Sequence, residues 1–361
     1  MSEREDIKPE DLVIHFLNVG FGDNIILQFP AGEDGVRKYG LVDCRKGEKT
    51  LDYLGKLMQP HAKLAFICAT HPHSDHISGI SSVIDSEFCP EEFWDSGFRQ
   101  YSLTYRNILL AVIKHKIKML RVSSGLEWYF NRVKITALSP SIALRNRYAT
   151  YGVDMNNASI VLRIENSKED VLLTKSREYD PNATEEDTEA GPSVVILAGD
   201  AEFDSWSHIC QEYPRIERTS YHDPLVKKMV NYLGSSVIKV AHHGSMHSTP
   251  LDVYEKMTPS LAIISTKQSL SSTKRDNTPF PKLNRSMFPH QSSVAALEES
   301  DVRVVTTDGS YEGQVQEDGT RKDPENVHTG SIVVVVPPKG KIRWLKMEDS
   351  DDQVASPPSL V

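Results

Sequence analysis

The sequence of 361 residues predicts an α/β (α+β) chain folded as a four-layer αββα sandwich, with two sheets inside and helices outside. Three observations carry that prediction. Short apolar runs that read as strands come in groups in each half of the chain. Segments with helical spacing lie between them. Acidic or histidine residues repeatedly follow the apolar runs, where strand ends meet loops.

Taken in order, "DLVIHFLNVGFGDNIILQFP" (11–30) reads as two strands around a Gly-rich turn. "KYGLVDC" and "KLAFICAT" stop abruptly at polar residues, as buried strands do. Residues 74–86 predict a helix over the sheet. Residues 101–120 predict another, with Tyr105, Ile108, Leu109, Val112, Ile113, Ile117 and Leu120 at helical spacing and Lys114, Lys118 and Arg121 on another face. Strands follow at "RVKITALSP", "ASIVLRIE", "DVLLTK", "SVVILAGD", "SVIKVAHHG", "LAIIST", "VRVVTT" and "SIVVVVPP", with helices expected at 203–212, 222–232, 250–257 and 291–299. No repeat of fixed period is visible. The organisation expected is an N-terminal extension (1–11), one domain (12–346) with loop insertions near 165–192 and 267–290, and a disordered acidic tail (347–361).

Composition narrows the class. Hydrophobic residues make up 39% and charged residues 25%, which is ordinary for a globular protein. No apolar run is long enough to cross a membrane. The charged start "MSEREDIKPEDL" lacks the apolar core of a signal peptide, and the four cysteines are widely spaced, so a cytoplasmic protein with reduced thiols is expected. The net charge of −9 is concentrated: residues 165–190 hold nine acids against three Lys/Arg, and the tail holds four acids and no base. Residues 99–121 carry six Lys/Arg and no acid, so a locally basic surface remains compatible with the acidic total. The acidic loop 165–190 is a candidate surface for a protein partner.

The chemistry concentrates at strand ends. Asp43 closes "YGLVDC"; His71, His73, Asp75 and His76 follow "LAFICAT"; Asp200 closes "SVVILAGD"; His242 and His243 follow "SVIKVA". Buried imidazoles and carboxylates cost several kcal/mol unless paired or metal-bound. Imidazole with carboxylate, and no Cys-rich pattern, suits zinc, manganese or iron. One pair within HxHxDH can reach one ion and the next pair a second, with a carboxylate such as Asp200 between two ions that act on a displacement at carbon or phosphorus.

HxHxDH with later Asp and His resembles the metallo-β-lactamase fold superfamily. The series "FLNVGFGDNIIL", "LVDC", "THPHSDHISGI", "FWDSG", "MNNASIVLRI", "VVILAGDAE", "VIKVAHHGSMHST" and "LAIIST" is similar, in order, to ComEC-type hydrolases, the soluble nuclease-like domain of a bacterial DNA-uptake channel. The resemblance runs over about residues 12–336. It implies one or two divalent ions, zinc or manganese, with His71 and His73 on the first, Asp75, His76 and His243 on the second, and Asp200 bridging. His242 is the register alternative to His243. Asp43 would orient the histidine loop, and Gly20, Gly22 and Asp23 match the early turn. Where classical members place a further histidine, this chain has Asn156 and Asn157, and amide oxygen is a weaker zinc ligand than imidazole. The late loop reads Phe288-Pro289-His290 where the family often has His-Pro, so His290 would act from a shifted loop.

Around these, His247 is a candidate proton donor to a leaving group. Asn156 and Ser159 are divided between phosphate contact and backbone support. Ser245 and Thr249 read first as turn and cap residues. The function expected is a metal-dependent hydrolase, a phosphodiesterase or nuclease acting on DNA or another nucleotide polymer through a metal-bound hydroxide, with Asp75 and His247 as catalytic groups. Lys267, Lys274, Arg275, Lys282 and Arg285 would follow the phosphate backbone. Two alternatives stand beside it: hydrolysis of a small ester, lactone or amide by the same site, and a non-catalytic effector module with a degenerate metal site.

Overall fold

The computed structural model describes residues 7–151, 154–167, 193–213, 232–267, 288–309 and 329–348. Two mixed sheets face each other. The first has eight strands in the order β15-β14-β1-β2-β3-β4-β5-β6, formed by β1 (Leu12–Phe16), β2 (Asn24–Gln28), β3 (Tyr39–Cys44), β4 (Phe66–Ala69), β5 (Glu92–Asp95), β6 (Lys118–Arg121), β14 (Gly330–Val336) and β15 (Arg343–Glu348). The second has seven, in the order β13-β12-β11-β10-β9-β8-β7, formed by β7 (Glu127–Phe130), β8 (Val133–Ser139), β9 (Val161–Asn166), β10 (Ser193–Leu197), β11 (Val237–Lys239), β12 (Leu261–Ile264) and β13 (Arg303–Thr306). In each sheet an antiparallel set leads into four parallel strands, β3 to β6 and β10 to β13.

Strand periodicity sorts side chains into the four layers. Leu12, Ile14 and Phe16 point between the sheets and join Leu162, Ile164, Val195 and Val305 from the other sheet. Phe66 stacks on Trp94, and Trp94 on Trp128 across the sandwich, at centroid distances of 3.7 and 4.0 Å. The outer face of the first sheet is covered by α1 (Gly47–Leu57), α3 (Ile80–Ile84) and α4 (Leu103–Lys114) through Tyr53, Leu54, Ile80, Val83, Ile108 and Val112. The outer face of the second is covered by α6 (Phe203–Glu212), α7 (Leu251–Met257) and α8 (Gln291–Glu299) through Trp206, Ile209, Val253, Met257, Val294 and Leu297. The expected αββα layering is therefore present. Two further helices are α2 (Ser74–Ile77) and α5 (Ile142–Tyr151).

Three expectations need correction. The helix over 74–86 is two short helices, α2 and α3, separated at Gly79, which packs so tightly on Gly47 that a Cβ would collide with its backbone. The helix over 101–120 ends at Lys114, and residues 118–121 form edge strand β6. Its terminator is a Schellman motif: Lys116 lies at φ 54°, its N–H bonds to Ile113, and Ile117 N–H bonds to Val112 at 3.0 Å. A lysine in the position that favours glycine hid this stop. The basic stripe is also partly neutralised, since Lys114 pairs with Asp85 and Lys118 with Glu92, each at 2.7 Å. The first two residues assigned to the tail, 347 and 348, belong to β15, which runs to Glu348; the rest of that segment lies outside the described residues. The strand "DVLLTK", most of helix 222–232, and nearly all of the loops 165–192 and 267–290 lie outside the described residues. No described helix is long and apolar enough to cross a membrane.

Candidate metal centre

The parallel strands of both sheets end on one edge of the sandwich, and the polar clusters meet there. β3 ends at Asp43, β4 leads into His71–His76, β10 leads into Asp200, and β11 leads into His242 and His243. Four imidazoles turn Nε2 toward the Asp200 carboxylate. Nε2 of His76 lies 3.2 Å from Oδ2, that of His71 3.7 Å and that of His242 3.9 Å, while that of His243 lies 3.9 Å from Oδ1. His73 joins through Nδ1, 3.0 Å from His71 Nε2. Asp75 sits at the open side, its Oδ2 3.6 Å from His243 Nε2 and 3.9 Å from His76 Nε2.

The outward nitrogens are anchored, which fixes tautomer and ring orientation. His76 Nδ1 donates to Asp43 Oδ2 at 2.7 Å, His243 Nδ1 to the Ser265 carbonyl at 2.7 Å, and His242 Nδ1 to Glu202 at 2.9 Å. His71 Nδ1 lies 3.2 Å from Thr70 Oγ1 and 3.4 Å from Ser159 Oγ. Asp43 is itself saturated, accepting also from Thr70 N at 2.8 Å and Thr70 Oγ1 at 2.7 Å. Facing inward, His76 Nε2, His243 Nε2 and Asp200 Oδ1 are buried and have no hydrogen-bond partner. Such orphaned atoms are costly. Converging nitrogen lone pairs and an anionic oxygen fit a divalent cation, so the donor set suits a metal.

Electrostatics agree. Burial works against charge on Asp200, yet the His76 and His243 imidazoles hold its carboxyl well below the usual carboxylate range. Burial, reinforced by His76, pushes His71 well below its ordinary value and leaves its lone pair free. Burial opposes a proton on His76, but Asp200 and Asp43 outweigh it and raise that group.

Among the described residues, Asp23, His76, Asp200 and His243 each offer a donor atom, all within 4.8 Å of one another. Asp23 enters this group although the sequence suggested only a supporting role. Its company explains why: Lys239, fully buried at the end of β11, forms an ion pair with Asp23 Oδ2, donates to the Gly199 carbonyl at 3.1 Å and lies 3.9 Å from Asp200 Oδ1. Asp23 is thus the lysine's counter-ion, and Asp75 is the better-placed free carboxylate. Sequence reasoning missed Lys239 and Glu202. The signal for the first was a lysine inside the apolar run "SVIKVA". Glu202 gave little signal, because an acid at a helix start is common.

Other candidates take supporting places. Ser159 Oγ accepts from Asp200 N–H at 3.0 Å. Asn156 Nδ2 donates to Glu202 at 3.1 Å. Asn157 accepts from Ser205 N–H in the first turn of α6. Ser245 organises the turn after His243, its carbonyl accepting from Ser248 and Ser293. His290 caps α8. His247 is exposed, its ring 6.4 Å from that of Phe203. Gly22, at φ 135°, admits the Asp75 carbonyl where a Cβ would collide.

The fold and the site together define an αββα sandwich with a buried His/Asp group suited to divalent metal at one edge. Solved structures similar to this chain include a metallo-β-lactamase fold protein, YhfI, from Bacillus subtilis (11% identity, 82% of this chain and 96% of that one, TM-score 0.42). They also include a long form RNase Z from yeast (14% identity, 78% and 40%, TM-score 0.38) and a metallo-β-lactamase from Staphylococcus aureus (11% identity, 69% and 50%, TM-score 0.30). The chain spans nearly all of the Bacillus protein and less than half of the yeast enzyme. No family model matches the sequence, and no curated protein matches it. The architecture rests on this chain's own strand order and layers, and the comparisons show no ComEC-type relative.

Proposed function

We propose that this protein is a metal-dependent hydrolase of the metallo-β-lactamase type that cleaves phosphodiesters in a nucleic acid or shorter oligonucleotide. The observation that carries the reading is the ring of imidazole Nε2 atoms around Asp200, two of them buried and unpartnered. His71 and His73 would hold one ion, His76, His243 and Asp75 a second, with Asp200 between. Zinc or manganese there would supply Lewis acidity and a nucleophile at neutral pH. The chain's own groups do the rest. Asp75 is the carboxylate on the open side, a quarter exposed at 24%; burial opposes its charge, but the neighbouring His243 and His76 imidazoles hold it below the usual carboxylate range and leave it able to orient water. The exposed His247 is assigned the proton for the leaving oxygen.

Basic residues beside the site support a polyanionic substrate. Arg45 and Lys267 both pack on Gly20, in the turn that carries Asp23. The test is cleavage of labelled single- and double-stranded DNA with manganese or zinc, beside an Asp75→Ala His76→Ala variant. Metal-dependent cutting that disappears in the variant is expected. Stoichiometric metal with no cutting of DNA, RNA or bis(p-nitrophenyl) phosphate would overturn the substrate class and direct the search to esters and lactones.

A further inference from the structure

His242 is the one imidazole of the ring that the ligand scheme above leaves without a task. Its geometry repeats that of the histidines with one. Nδ1 is tied to an acceptor, here Glu202 at 2.9 Å, and Nε2 faces Asp200 at 3.9 Å. His243, its neighbour, faces the other oxygen of the same carboxylate, also at 3.9 Å. Both residues sit in the left-handed region, at φ 46° and 52°, which two consecutive side chains other than glycine rarely adopt. That backbone sends adjacent imidazoles to the two sides of one carboxylate. Strain of this kind persists only where the surroundings impose it. Here they do: Glu202 holds one edge of the ring, Phe288 lies 5.3 Å from it, and His242 N–H bonds to the Gly199 carbonyl at 3.0 Å. Asn156 Nδ2 donates to Glu202 as well, so the acceptor is fixed from two sides.

Asp200 Oδ2 therefore has His71 Nε2 at 3.7 Å and His242 Nε2 at 3.9 Å, and His71 Nε2 in turn has His73 Nδ1 at 3.0 Å. Neighbouring donors around a tetrahedral zinc ion with bonds of 2.0–2.1 Å stand about 3.3 Å apart, inside that range. We infer that His242 is the third nitrogen ligand of a divalent-ion site formed with His71, His73 and Asp200, and that Glu202 and Asn156 are its positioning residues. The inference rests on the metal-centre reading above and adds a ligand to it.

The test is cobalt binding to the full-length protein, followed by equilibrium dialysis with elemental analysis and by the visible absorption of the bound ion, with circular dichroism to check folding. The wild type is expected to hold two ions per chain and His242→Ala one. Glu202→Gln, which leaves every imidazole in place, is expected to weaken one of the two sites by about 10–100-fold. Should His242→Ala fail to fold, Glu202→Gln carries the test alone, and unchanged binding there overturns the inference. His242→Ala with wild-type stoichiometry and affinity overturns it too. A wild type that binds no stoichiometric cobalt overturns the metal-centre reading itself, and its own count distinguishes that failure.

Discussion

The two sheets reach the site by the same route and do different work there. In each, an antiparallel strand feeds a parallel one, the first parallel strand leads to an aspartate and the next leads to histidines: Asp43 and His71–His76 in one half, Asp200 and His242–His243 in the other. Both aspartates are almost completely buried. Asp43 has every close partner it needs, from Thr70 and His76. Asp200 keeps a buried oxygen without a hydrogen bond and four imidazoles around it. Position in the fold thus makes the two equivalent, and satisfaction separates a carboxylate with its partners in place from one with an oxygen left open. His15 makes the same point. It is fully buried in β1, yet Nδ1 meets Tyr53 Oη at 2.9 Å and Nε2 meets Gln28 Oε1 at 3.1 Å, so nothing remains for a ligand.

The widest separation is expected between the two aspartates themselves. Asp43→Asn removes the charged acceptor behind His76, which also receives the Thr70 hydroxyl, and should weaken metal binding by about 10–100-fold. Asp200→Asn should exceed that range, measured by competition against a chelating dye; equal losses would break the comparison. Between the halves runs the buried Lys239–Asp23 pair, which joins β11 of one sheet to the turn before β2 of the other. Lys239→Ala strands Asp23 and should cost about 3–5 kcal/mol in urea unfolding, whereas Lys239→Met with Asp23→Leu should recover most of it. If the single and double variants unfold alike, the pair is not what ties the sheets.

His15 supplies a pH test. Burial above all, with a smaller push from Arg37, lowers its pKa to about 4, against 6.5 for the unfolded chain. The unfolded state therefore binds the proton first as pH falls. The stability from a neutral His15 is complete above pH 6.5 and is lost progressively down to about pH 4, to a total of about 3 kcal/mol. His15→Gln should unfold with a shallower dependence across that window, and parallel pH profiles would refute it. The smallest effect is expected on the surface: Lys114→Ala removes an exposed pair with Asp85 and should change stability by less than about 1 kcal/mol.

How much of this was legible depended on the distance over which each feature is set. HxHxDH lies within six residues, and its donors come together through one turn and the start of α2. Asp200 and the His242–His243 pair were legible because each follows an apolar strand. The acceptor that aims His242 lies 40 residues away in sequence, and the carbonyl that aims His243 lies 22 away, so no local pattern could assign the two histidines separate tasks. Lys239 shows the same limit, since its partner Asp23 belongs to the other sheet. The helix overrun at 115–120 had another cause. Ile117 and Leu120 satisfy helical spacing and strand alternation alike, and the residue that stops the helix, Lys116, is not one that usually does.

The seat of β1 in the first sheet has a consequence for the chain as it is made. β1 lies between β2 and β14, and it pairs with β14 from Leu12↔Val336 to Phe16↔Ile332. Its neighbour on one side leaves the ribosome almost at once. The other is encoded more than 300 residues later, so at about 5–20 residues per second β1 waits some tens of seconds with one hydrogen-bonding edge bare. That edge belongs to the apolar segment Leu12–Phe16, the kind of strand that other chains extend by edge-to-edge pairing. Nascent chains that stall before residue 330 should therefore be the aggregation-prone species of this protein, and the ones that depend on a chaperone.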